Sequence, residues 1–148
     1  MVLSVFSALL LLSACADSLT AVNERGGERI RTQRAIWEAQ QLHSYVFETR
    51  RVCFCAFVGW LEVSVAGGTV QHVTALEEED VPAWATADYP TVDELFDILE
   101  EAVVQDAAQI EVTWHASMGY PESFYIDYSK NVADEELGHD IRSLDPSN

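Results

Sequence analysis

Two cysteines one residue apart, Cys53 and Cys55 in "RRVCFCAFVGW" (residues 50–60), are the most reactive side chains in the body of this 148-residue chain. Three chemistries fit them: a disulfide, a metal or redox site, or a pair of reduced thiols in a core. In a regular strand, residues two apart point the same way. Their β-carbons then lie farther apart than the roughly 3.5–4.5 Å of a disulfide. A bridge therefore requires a bulge or a turn. It would close only a three-residue loop, which constrains the unfolded chain little, and strain would make it easy to reduce. Zinc or copper would need further ligands. His43, His72, His115 and His139 are scattered, and none sits at a ligand spacing from the cysteines. His115 alternates with Trp114 and reads as a surface residue.

A second candidate is "IDYSKNVADEE". Asp127, Ser129 and Asn131 offer oxygens at every second position, followed by Asp134, Glu135 and Glu136. Calcium takes six to eight oxygen ligands, and loops with alternating oxygens can collect them. The central glycine and the twelfth-position glutamate of an EF-hand are missing. The plainer alternative is a polar turn, with Asp127 bonded to backbone amides, ahead of a short C-terminal helix. "LEEED" (76–80) groups carboxylates in a proline-flanked stretch where solvation is expected. Nucleophile elbows, phosphate loops, dinucleotide fingerprints and metalloprotease helices are all missing from the sequence, so an enzyme is not expected.

The first residues read as an address. "VLSVFSALLLL" is an uncharged apolar run, too short for a spanning helix of roughly 20 residues but right for a signal-peptide core. Leu12-Ser13-Ala14-Cys15 resembles the lipobox of bacterial lipoproteins, although no Lys or Arg precedes the apolar run. The resemblance implies a signal peptide over residues 1–14 and a diacylglycerol on Cys15, which anchors the chain in a membrane. Ala16, where an aspartate would retain the protein at the inner membrane, makes the outer membrane the expected one. Residues 15–27 then form a lipidated, flexible tether carrying Gly26 and Gly27, and residues 28–148 a single domain. With Cys15 consumed by lipid, Cys53 and Cys55 remain as a pair in an oxidising compartment, which favours the disulfide.

Charge narrows the partners. The chain carries 25 acidic and 8 basic residues, a net charge of −17. Between Val52 and Ser129 there are fifteen acidic residues and no basic one, while six of the eight basic residues lie between Arg25 and Arg51. Nucleic acid is disfavoured, because phosphates need a basic surface.

The elements that must position these residues follow from periodicity. Glu28–Ser44 has helix formers with Ala35, Ala39 and Leu42 at helical spacing, and Ile36 and Trp37 beside them. Its arginines read as a solvated face, some of them meeting the acidic body. Tyr45, Phe47 and Thr49 alternate with Val46, Glu48 and Arg50 in a strand running into the cysteines. "GWLEVSVAGGTVQHVTAL" predicts a hairpin turning at Gly67-Gly68. Thr91 and Glu94 have capping-box spacing at the start of a helix whose stripe is Val92, Leu95, Phe96, Leu99, Ala102 and Val103. "QIEVTWH" and "SFYIDYS" predict two more strands about a "GYP" turn, whose tyrosine reads as packing. The fold expected is α+β: an antiparallel sheet of about five strands with two main helices on one face.

Trp37, Tyr45, Cys53-x-Cys55, the Gly-Gly hairpin, "TVDELFDIL", "GYPESFYIDYS" and "ADEEL", in that order, resemble small bacterial envelope proteins grouped as domain of unknown function 6174. The resemblance covers about residues 30–144. It implies a small exported α+β domain, often behind a lipoprotein signal. The family has no assigned activity, so it passes on no catalytic residues. Ala56 follows the second cysteine here, where that family would commonly place proline.

The reading is a lipid-anchored envelope protein with a non-catalytic binding or structural role and no cofactor beyond its lipid. Two alternatives stand beside it: a handler of calcium or a soft metal, and an inhibitor or adaptor of another envelope protein. Exposed aromatics on the outer sheet face would favour the inhibitor or adaptor. Carboxylates clustered around a cleft would favour the cation, and a pocket holding a strongly shifted carboxylate would favour an enzyme. The sequence sets no oligomeric state.

Overall fold

A computed structural model describes residues 14–77, 81, 83, 87 and 89–146, with the side chains of its first helix described from Arg25 onward. The elements are α1 (Ala14–Glu38), β1 (Tyr45–Val52), β2 (Leu61–Ala66), β3 (Thr69–Ala75), α2 (Val92–Val104), β4 (Gln109–Trp114), β5 (Pro121–Asp127) and β6 (Leu137–Pro146). The strands form one six-stranded sheet in the order β3-β2-β1-β6-β5-β4, and every neighbouring pair is antiparallel. This is the expected α+β architecture with one strand more than expected.

The added strand is β6, which replaces the short C-terminal helix predicted after the polar loop. Leu137, His139 and Ile141 take the inward positions, but the register shifts against β1 between Glu48 and Thr49. Ser143 opposes Glu48 and Ile141 opposes Thr49, so Arg142 is the extra residue of a bulge and Leu144 becomes the next inward side chain. The bulge breaks the period of two that would have marked the strand.

Helix α1 also departs from expectation. Its backbone is helical from Ala14, through residues 15–27 where a flexible tether was predicted, and it ends at Glu38 rather than Ser44. No proline interrupts Ala14–Glu38. Gly27 is a point of close approach, since a β-carbon there would stand 3.2 Å from Val103 Cγ1 of α2. Gln41, at φ 53°, turns the chain away toward β1.

Helix α2 begins as its sequence predicts. The Thr91 hydroxyl accepts from the Glu94 amide (3.2 Å), and the Glu94 carboxylate accepts from the Thr91 amide (2.7 Å). Val92, Leu95, Phe96, Leu99 and Ala102 are buried against β4 and β5, with Phe96 stacked on Trp114. Arg34 ties the two helices together, reaching Glu38 of α1 (3.0 Å) and Asp97 and Glu100 of α2 (2.7 and 2.9 Å).

The anchors Trp37, Tyr45 and Tyr120 meet in one aromatic corner. Trp37 stands edge-on to Tyr45 at 5.4 Å and to Tyr120 at 6.2 Å, and its Nε1 donates to Asp93. The Val92 amide donates to the Tyr45 hydroxyl at 3.0 Å, fixing the start of α2 to the sheet. Gly119, at φ +80°, sits so near α1 that a β-carbon would be 2.7 Å from the Gln33 carbonyl oxygen. The Gly67-Gly68 turn has both φ values positive, as its hairpin requires.

Among the described residues, the helices lie on one face of the sheet only. The other face is polar, and Glu62, His72, Thr74, Glu111 and Thr113 stand exposed on it.

Candidate functional site

Strand β1 stops at Val52, one residue before Cys53, instead of running into the cysteines as its alternation predicts. Leaving the ladder is the geometric condition for bridging residues two apart. The two sulfurs lie at disulfide-bonding distance, with the α-carbons 5.2 Å apart. The arc they close carries Phe54 at its tip, 85 % exposed, and Val58 further along the same loop is 47 % exposed. Phe57 turns back onto the core, and Trp60 returns the chain to β2.

Trp60 lies on the open face between two guanidiniums. The Arg50 guanidinium is 4.9 Å from the indole centroid and that of Arg142 is 4.4 Å from it. Each arginine is held in turn. Nε and Nη2 of Arg50 both donate to Asp140 Oδ2, at 2.9 and 2.8 Å, while the Ser123 hydroxyl donates to Asp140 Oδ1. Arg142 donates through Nε to Glu48 and through Nη1 to Glu77. The bulge in β6 supplies Arg142, and sheet register places Ser123, Asp140 and Arg50 in one row across β5, β6 and β1. Arginine over an aromatic face gains cation–π attraction and keeps a planar, preorganised donor fork. The arrangement is a half-exposed surface of one indole and two guanidiniums, each guanidinium held by carboxylates.

A polar cluster occupies the opposite face of the same strands. His139 is 3 % exposed, between Phe124 (5.5 Å) and Tyr89 (5.7 Å), and its Nδ1 has no hydrogen-bond partner. Burial, reinforced by the nearby Arg51 charge, pushes the imidazole down to about 3, so it is neutral at ordinary pH. The Arg51 guanidinium lies 4.7 Å from the Tyr89 ring centroid. Burial pushes the Tyr89 hydroxyl up to about 12 against the opposing pull of Arg51. Thr49 Oγ1, also buried here, lacks a well-aligned partner.

The predicted calcium residues are placed without convergence. Asp127 ends β5, and Ser129, Asn131, Asp134 and Glu135 follow in a loop that turns with a Val132 amide to Ser129 carbonyl bond. Asp127 Oδ1 is buried without a hydrogen-bond partner. Glu135 Oε1 is buried in the same state. Among the described residues, no group of three or more His, Cys, Asp or Glu side chains gathers as a metal site would. His115 is half-buried rather than a free surface residue. It stacks on Tyr120 at 4.7 Å and accepts the Met118 amide within the turn.

Of the "LEEED" stretch, Glu77 reaches Arg142 and residues 78–80 lie outside the described residues. Cys15 is the second residue of α1, but its side chain and residues 1–13, which hold most of the expected signal peptide, also lie outside them. No described helix is long and apolar enough to cross a membrane.

Sequence reasoning missed Arg50, Trp60, Asp140 and Arg142 as a set, because distant register brings them together, and it gave no core position to His139 on the opposite face. One signal was available: Lys130 and Arg142 are the only basic residues after Arg51, which makes an arginine at 142 unusual.

No curated protein and no solved structure matches this chain. The model of a family of unknown function, DUF6174, matches residues 29–146, and the chain belongs to that family.

Proposed function

We propose that this is a lipid-anchored cell-envelope protein whose open sheet face has a non-catalytic role, binding another envelope protein. The observation that carries this reading is Trp60 held between Arg50 and Arg142 on a face that no described helix covers. Tryptophan and arginine are the residue types that dominate binding hot spots, and a preheld side chain loses little entropy on docking. Among the alternatives read from the sequence, the inhibitor or adaptor is the one this aromatic favours. The Leu12–Cys15 lipobox supports the anchor.

The test places a photo-crosslinking residue at Thr74 on the open face, or at Glu28 on α1, in the source cells. A discrete adduct from position 74, lost in Trp60→Ala and Arg142→Ala, is the expected result. Equal crosslinking from both positions, or adducts indifferent to those substitutions, would remove the reading. The anchor is tested separately: Cys15→Ser should abolish palmitate labelling and release the protein from the membrane fraction.

The cation-handling role is a second reading, supported by the unpartnered oxygens of Asp127 and Glu135. Calcium should then raise the melting temperature and a chelator reverse it. Identical melting in both would end it.

A further inference from the structure

We propose that the Cys53–Cys55 pair is a thiol–disulfide exchange site that oxidises dithiols of extended or unfolded polypeptides. Three observations carry this. The pair lies beyond the last residue of β1, outside the hydrogen-bonded ladder, and Cys55 is exposed while Cys53 is half-buried. Sequence separation is two, so the bridge restrains the unfolded chain less than a long loop would and resists reduction correspondingly less. Phe54, the residue between the two cysteines and 85 % exposed, offers an apolar surface adjoining the reacting pair in the chain, with Val58 further along the loop. A small hydrophilic thiol has nothing to place on that ring, whereas an unfolded chain with apolar residues around its cysteines does.

The electrons balance as follows. A substrate thiolate attacks Sγ of Cys55, forming a mixed disulfide as the Cys53–Cys55 bond breaks, and Cys53 leaves as a thiolate that takes a proton. The second substrate thiolate attacks the substrate sulfur of the mixed disulfide and releases Cys55. The substrate dithiol is oxidised to a disulfide, and the cysteine pair is reduced to two thiols by the two electrons given up. Re-oxidation is the same exchange run backward by a protein disulfide.

The experiment uses the full chain purified without reductant. One equivalent is mixed with a reduced dithiol peptide flanked by leucines. Aliquots are acid-quenched, alkylated and weighed. Wild type should oxidise about one peptide per chain and gain two alkyl groups. Phe54→Ser should slow the reaction with the peptide at least fivefold, while its reaction with dithiothreitol stays within twofold of wild type. A bond that resists both peptide and dithiothreitol until denaturant is added would overturn the proposal. So would a Phe54→Ser variant that reacts with the peptide as fast as wild type does.

Discussion

His139 places a neutral imidazole in the core, and the price is paid in acid. Its folded value near 3 lies below the ordinary 6.5, so the unfolded chain binds the extra proton between those values. Stability from this residue is therefore complete above about pH 6.5 and is lost as pH falls toward 3, by on the order of 5 kcal/mol in total. Denaturant titrations of wild type and His139→Leu at pH 7 and pH 4.5 should show the wild type losing more on acidification. Equal losses would mean that the imidazole is not shielded from protons. The cysteine pair makes a different kind of contribution. A three-residue loop predicts that Cys53→Ser/Cys55→Ser costs about 1–2 kcal/mol on the loop-entropy relation. That falls below the usual loss for a native bridge and is readable as a modest shift in the urea midpoint.

Among the elements, α2 is seated by one hydroxyl and α1 by one turn. Tyr45→Phe keeps the ring against Trp37 but leaves the Val92 amide without its acceptor. The expected cost is about 1–3 kcal/mol by thermal or chemical unfolding. Gly119→Ala should cost at least about 2 kcal/mol, since it adds a clash with the Gln33 carbonyl to a backbone at φ +80°. The two elements that Tyr45 joins, α2 and β1, were legible in the sequence. Thr91 and Glu94 announce α2 through a purely local hydrogen-bond pair, and alternation in 45–49 announces β1 because one face of that strand is buried. Strand β6 was hidden by the bulge at Arg142, which changes the phase of the pattern midway. The candidate face was hidden for a related reason. Arg50 meets Asp140 across ninety positions of sequence, and no local window contains both.

At the scale of the whole molecule, a net charge of −17 coexists with an open sheet face organised around two arginines. Surface ion pairs of this kind contribute little to stability. Arg142→Ala should accordingly leave the urea midpoint of unfolding close to that of wild type while removing the crosslinked adduct at position 74. A large loss of stability would instead make Arg142 a clamp for the bulge. The strand order has a kinetic consequence. β1–β3 and β4–β6 are local units, but the sheet becomes continuous only when β1 finds β6, the strand farthest from it in sequence. Closing so long a loop comes before any reward from the pairing, which places folding in the slower range for a domain of this size. Until it closes, β1 has an unpaired edge and so does β6, and two nascent chains side by side could pair β1 of one with β6 of the other. Dilution should then favour monomers after refolding, and rapid concentration should favour exchanged dimers.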